Sequence, residues 1–278
     1  MSAGTNKWGT ANGEAGMKLL EGKTAVVYGA SGIIGRATAK AFAREGSMVF
    51  LAGRTLDTVR SLAEEIHSAG GLAEAARVDA LDSNSVEEHL QAIIASRGRL
   101  DISYNLISTS VAMGTQLVRL SSGQFDSAAF TRARSCFITS TAAARIMQKQ
   151  KSGVILGITA RNGRLPIQDT GGFSTGNAAI EAFLKQLALE VGPQGVRVVC
   201  LRTGATPESP VLQEVYARLA EVRGTTKEQV ERAEADHTAL KRSPLIAEVA
   251  NAAVLIASDY ASAITATPVN ASCGEMVD

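Results

Sequence analysis

Cysteine is scarce in this 278-residue chain: Cys136, Cys200 and Cys273 are too few and too scattered for a disulfide framework or a zinc knuckle. A reducing, cytoplasmic setting is the expectation, with no metal. Charge of one sign is lacking too. Lys plus Arg number 28 against 27 Asp plus Glu, a formal net charge of +1, so no excess field favours nucleic acid or an anionic membrane. No run approaches the ~18 consecutive apolar residues of a transmembrane helix. The polar, glycine-rich stretch from Met1 to Gly16 lacks the apolar core of a secretory signal. Prolines number 6 and aromatics make up 4% of the chain, but 45% of residues are hydrophobic and 20% charged, a composition that excludes wholesale disorder. A soluble globular protein with a sizeable core remains.

From Lys23 onward, short β-branched runs alternate with longer segments whose apolar residues recur at three and four, the pattern of βαβ units. The expected strands are Thr24–Tyr28, Met48–Ala52, Ala73–Val78, Asp101–Leu106, Gly153–Thr159 and Val196–Leu201, with a short last one around Pro268–Ala271. A parallel sheet with helices on both faces follows. The charged, amphipathic segment Ser209–Ala239 interrupts the rhythm and reads as a helical lid over the sheet's edge, about 205–243. Residues 1–20 read as a loose tail and 21–278 as one domain.

After the first strand comes Tyr28-Gly29-Ala30-Ser31-Gly32-Ile33-Ile34-Gly35-Arg36, with a helix expected from near Ala37. A glycine-rich turn between strand and helix lets the backbone approach a pyrophosphate, and the helix N-terminus supplies unpaired amides and a favourable dipole. Tight strand-to-helix packing without a ligand is the alternative. The second strand ends in Gly53-Arg54, where an NAD site carries an acidic residue. Arginine there favours a 2′-phosphate, hence NADP(H) over NAD(H). Asp79, just past the third strand, faces the adenine or caps the helix at Ser83.

From about Leu20 to Gly274 the chain resembles the short-chain dehydrogenase/reductase family. The resemblance rests on the glycine turn, Leu51-Ala52-Gly53-Arg54, Val78-Asp79-Ala80, Asn105, Gly195-Val196-Arg197-Val198 and Ala257-Ser258-Asp259-Tyr260-Ala261-Ser262. It implies a Rossmann-like, doubly wound, seven-stranded α/β fold with a nicotinamide nucleotide across the strand C-termini. It also implies a homodimer or homotetramer built through two long helices, about Ser122–Gln148 and Phe173–Val191. Cofactor contacts would fall to Gly29, Ser31, Gly32, Ile34, Gly35, Arg54, Asp79, Ala80, Asn105 and Asn177. The turn departs slightly from the common spacing, with Ile33 where a glycine usually stands.

The family's catalytic tetrad is asparagine, serine, tyrosine and lysine, and the equivalent positions here carry Arg132, Ala160, Phe173 and Asn177. All four differ. None of the tyrosines, Tyr28, Tyr104, Tyr216 and Tyr260, has a lysine four residues on, so no shift of register restores the pair. Substitute groups at the strand C-termini would be Thr159 and Ser174, with Arg161, Arg164, Asp169, Thr175 and Tyr216 also eligible. His67 and His89 read as solvated helix residues, and neither they nor His237 receive a role. Arg132, Arg161, Arg164 and Arg202 cluster near strand ends, which points to an anionic or strongly polar small-molecule ligand, or else to arginines that face solvent or pair with carboxylates across subunits.

Three functions fit this reading. The first is an NADP(H)-dependent oxidoreductase with a substituted proton relay, or one acting on an iminium or activated alkene. The second is a catalytically silent NADP(H)-binding sensor or partner subunit. The third is a non-redox enzyme, such as an isomerase, in the same pocket.

Overall fold

The computed structural model describes residues 18–108 and 115–276, so most of the expected tail lies outside it. At the tail's inner end Leu20 is already fully buried, and its amide donates to the Glu45 carbonyl at 2.9 Å.

Along the chain run β1 (Thr24–Tyr28), α1 (Ile33–Arg44), β2 (Met48–Gly53), α2 (Leu56–Ser68), β3 (Leu72–Arg77), α3 (Ser83–Arg97), β4 (Ile102–Asn105) and α4 (Ser122–Gln150). Then come β5 (Gly153–Ala160), α5 (Phe173–Val191), β6 (Val196–Thr203), α6 (Pro210–Arg223), α7 (Lys227–Asp236), α8 (Ile246–Ala257) and β7 (Thr267–Ala271). The strands form one all-parallel sheet in the order β3-β2-β1-β4-β5-β6-β7.

Successive side chains of a strand point to opposite faces, and this alternation splits the core in two. Ala25 and Val27 of β1 pack with α1, α2 and α8, whereas Val26 and Tyr28 pack with α3, α4 and α5. Both faces are covered, which is why the central strands read as unbroken apolar runs. Phe42 of α1 is fully buried and stacks on Tyr104 with ring centroids 6.5 Å apart. Such burial contributes about 2 kcal/mol.

The boundaries differ from expectation where glycine or a strand end is involved. Helix α1 starts at Ile33, not near Ala37, because Gly32 is its extended N-cap (φ −69°, ψ 161°) and Gly35 lies inside the helix against the turn. Strands β5 and β6 run one and two residues beyond their expected ends, to Ala160 and Thr203. The expected lid segment holds α6 and α7, whose apolar stripes close on Tyr216, Ala220 and Val230. Just after α7 it joins the chain's end, Ala239 and Leu240 amides donating to the Gly274 and Cys273 carbonyls at 3.1 Å each.

Candidate functional site

The strand order reverses direction between β1 and β4, and an open parallel sheet leaves a crevice at the strand C-termini beside such a point. The Gly29–Gly35 turn stands there. Gly29 holds φ +77°, and a Cβ on it would lie 2.8 Å from the Leu106 carbonyl oxygen; on Gly35 it would lie 2.2 Å from that of Gly29. Only glycine fits either position. Gly32 gives α1 no side-chain cap, and the first turn holds no acidic residue, so the leading amides and the positive helix end meet no internal carboxylate. These residues fit a pyrophosphate. Ser31 is exposed and Ile34 half-buried.

Arg54 is exposed at the end of β2 and has no ion-pair partner among the described residues. Asp79 is exposed and accepts from the Leu81 amide at 3.0 Å. Capping α3 falls to Asp82, which accepts from the Asn84 amide at 2.9 Å. Ala80 is buried. Asn105 is also buried, and its side chain serves the fold: it donates to Thr139 Oγ1 at 3.0 Å and accepts from the Ile107 amide at 3.3 Å. That leaves the backbone around Asn105, rather than its amide group, to meet a ligand.

At the centre, three of the four residues expected at the tetrad positions meet. Arg132 of α4 donates through Nη1 to Asn177 Oδ1 at 2.7 Å, through Nη2 to the Ile158 carbonyl at 3.1 Å and through Nε to the Ile107 carbonyl at 3.4 Å. Its guanidinium lies 5.0 Å from the centroid of the half-buried Phe173 ring, a cation–π contact. No carboxylate pairs with it among the described residues, and burial pulls its pKa down to about 10. Asn177 is fully buried and its Nδ2 has no partner among the described residues. Ala160 ends β5 half-buried and offers no functional group.

The two helices that carry these residues are spaced by glycines. A Cβ on Gly172 would lie 2.6 Å from the Phe125 carbonyl oxygen, and one on Gly176 would lie 2.6 Å from that of Ala129. Backbone therefore meets backbone where α5 crosses α4.

The substitute groups fare unevenly. Thr159 does not face the crevice: it is buried, donates to Glu181 Oε1 at 2.9 Å and touches Cys200 Sγ at 3.2 Å. Side chains alternate along β5, so Thr159 points into the core while its neighbours Ile158 and Ala160 stand half-buried. Ser174 stands half-buried, 3.0 Å from Thr170 Oγ1. Thr170 donates its own proton to the Ile167 carbonyl at 2.9 Å, so Ser174 must donate to Thr170 and can only accept from a ligand. Tyr216 is enclosed in the lid's own core, its hydroxyl unpartnered among the described residues and its pKa raised by burial. Thr175, Arg164 and Asp169 are exposed, the last with φ +60°. His67 is exposed as expected, but the ring nitrogens of His89 are buried without partners among the described residues, and desolvation lowers its pKa to about 4.

The arginines are not a free cationic cluster. Arg202 is buried and grips Glu181 with two bonds, Nε to Oε1 at 2.8 Å and Nη2 to Oε2 at 2.7 Å. Arg161 links Glu234 of α7, at 2.7 Å, to Glu275 near the chain's end. Sequence reasoning missed these three glutamates. Glu181 alone had a visible signal, a carboxylate four residues after Asn177 on the same face of an apolar helix.

A cavity of ≈ 350 Å³ lies at the opposite, N-terminal edge of the strands, lined by Lys23, Asp101, Arg197 and Asp259. Its charges are already matched: Lys23 pairs with Asp259 at 3.0 Å, and Arg197 donates to the Ile256 and Ser258 carbonyls at 2.9 and 3.0 Å. Among the described residues no three His, Cys, Asp or Glu converge on a metal position, and no helix is long and apolar enough to cross a membrane.

A family model described as enoyl-(acyl carrier protein) reductase matches residues 29–275. An uncharacterised oxidoreductase of Bacillus subtilis is 29% identical over 260 residues, covering 94% of this chain and 93% of that protein. The 7α-hydroxysteroid dehydrogenase of Clostridium sardiniense is 24% identical over 250 residues, covering 90% and 91%. Among solved structures, sorbitol-6-phosphate 2-dehydrogenase from Erwinia amylovora superposes with a TM-score of 0.85 at 27% identity, covering 91% of this chain and all of the other.

Proposed function

The chain belongs to the short-chain dehydrogenase/reductase family of oxidoreductases, whose members bind nicotinamide nucleotides, and from that premise we propose that it is an NADP(H)-dependent oxidoreductase acting on a small molecule that needs no tyrosine acid. The observation that carries this reading is the pairing of a bare Gly29–Gly35 turn with an exposed, unpaired Arg54. The turn's amides would hold the pyrophosphate and Arg54 a 2′-phosphate, with Asp79 and Ala80 beside the adenine. Asn177 Nδ2, a buried donor without an acceptor, suits a ribose hydroxyl. The nucleotide, when bound, supplies hydride; the protein's part is to position, exclude water and handle the proton.

Proton handling is where this chain departs from its family. Phe173 has no ionisable group, so the 10²–10⁴-fold typical of a general acid is unavailable from that position. Substrates whose acceptor carbon takes hydride without prior protonation, such as an iminium or an activated alkene, meet this requirement. The interlock of Arg132, Asn177 and Phe173 supports a second reading, a catalytically silent NADP(H)-binding protein. Homodimers or homotetramers through α4 and α5 go with either reading, since Phe130, Phe137 and Leu189 are exposed on those helices.

Calorimetric titration with NADPH, NADP⁺ and NADH tests the cofactor. Tight NADPH binding is expected, weakened about tenfold by Arg54→Ala while NADH is unaffected. No binding of any nucleotide would end the oxidoreductase reading. Turnover screening over iminium, alkene and carbonyl substrates then separates enzyme from silent binder.

A further inference from the structure

We infer that Arg132 and Asn177 form a carboxylate-binding subsite beneath Phe173, so that the small molecule this site takes carries a carboxylate. The proposal deepens the reading above and rests on it for the ligand's place beside the nucleotide. Its ground is a count of donors. A guanidinium has five N–H groups, and Arg132 commits three of them, to Asn177 Oδ1 and to the Ile107 and Ile158 carbonyls. One remains on each terminal nitrogen. Asn177 Nδ2 adds two more that have no acceptor among the described residues, of which a bound ribose would take one. The amide cannot be turned round to relieve this, because Nδ2 would then face the Arg132 donor. In the nucleotide-free chain four donors without acceptors among the described residues thus gather around one buried positive charge, which has no acidic partner there either.

Leaving a cation and its donors unmatched in the interior is costly. An ionised carboxylate is the complementary group, since it only accepts, offers about four lone-pair sites and brings the missing negative charge. Other arginines near the strand ends are less suited. Arg202 already holds Glu181, and Arg161 faces two glutamates. Phe173, half-buried over the guanidinium, is the shutter such a ligand would have to displace.

The test needs no nucleotide and no turnover. The melting temperature of the full chain is measured with sodium formate or acetate, against formamide or acetamide, at constant ionic strength. Carboxylates at about 100-fold over Kd should raise Tm by roughly 4–8 °C and the neutral amides should not. That difference should shrink in Asn177→Leu and vanish in Arg132→Gln. Equal behaviour of carboxylate and amide in the unmodified chain overturns the proposal even if Arg132→Gln fails to fold. So does a difference that survives in Asn177→Leu and Arg132→Gln alike. Inorganic phosphate serves as the separate arm: stabilisation by phosphate that Arg54→Ala removes and Asn177→Leu leaves intact reports the nucleotide site. Loss of the phosphate effect alone therefore counts against NADP(H), and loss of the carboxylate effect alone against the Arg132 subsite.

Discussion

Arg202 and Arg132 are both buried, both lean on α5, and differ in what they meet there. Arg202 meets the carboxylate of Glu181 in a two-bond grip, while Arg132 meets an amide oxygen, two carbonyls and an aromatic face. The partners Asn177 and Glu181 lie one helical turn apart, so a single face of α5 offers a neutral acceptor to one cation and a charged one to the other. Burial of an arginine alone therefore says little about function. The absence of a counter-charge among the described residues is what distinguishes Arg132.

The sharpest way to break this contrast is Glu181→Ala. It strands Arg202 as an uncompensated interior charge and should cost about 3–5 kcal/mol in denaturant unfolding. A loss below about 1 kcal/mol would mean that the pair does not differ in kind from Arg132.

A buried group that can shed its charge sharpens the contrast from the other side. His89 is held neutral by desolvation, with a folded pKa of about 4 against an ordinary 6.5. Above pH 6.5 neither state binds the proton and His89 is silent. Between 6.5 and 4 only the unfolded chain takes it up, so stability falls as the pH falls, by up to about 3 kcal/mol. Unfolding curves of His89→Phe should be flatter across that window; parallel curves would contradict the assignment.

Next in size is Arg132→Met, expected to cost about 1–2 kcal/mol. Losing its hydrogen bonds is offset by removing a charge that nothing neutralises. A cost equal to that of Glu181→Ala would erase the distinction. The smallest expected effect is on activity: Phe173→Tyr with Asn177→Lys should not create ketone reduction, because Ala160 and Arg132 remain. Robust turnover by that double variant would show the rest of the pocket intact.

Much of the fold was legible because alternating apolar runs and glycine turns are local signals. Val26 and Val27 announce a two-faced strand by themselves, and Gly29 needs only its place after that strand. Helix α1 begins ahead of the expected Ala37 because Gly35 sits inside the helix and lets it close on the turn. Side-chain partnerships are a different matter. Nothing around Arg202 in the chain points to Glu181, 21 residues away, and the crossover from α5 to β6 is what joins them. Thr159 and Ala160 show the same limit at closer range, since a hydroxyl one residue away along a strand points to the opposite face. Positions 132, 160, 173 and 177 could be aligned, but the contact of Arg132 with both Phe173 and Asn177 required the packed helices.

The glycines at 172 and 176 set a standard of measurement for whatever chemistry this pocket performs. Because backbone abuts backbone there, the separation between Arg132 of α4 and its α5 neighbours is gauged by two missing methyl groups. Any redesign of the centre, whether to install a proton donor or to change the ligand, inherits that calibration unless those two positions are changed with it.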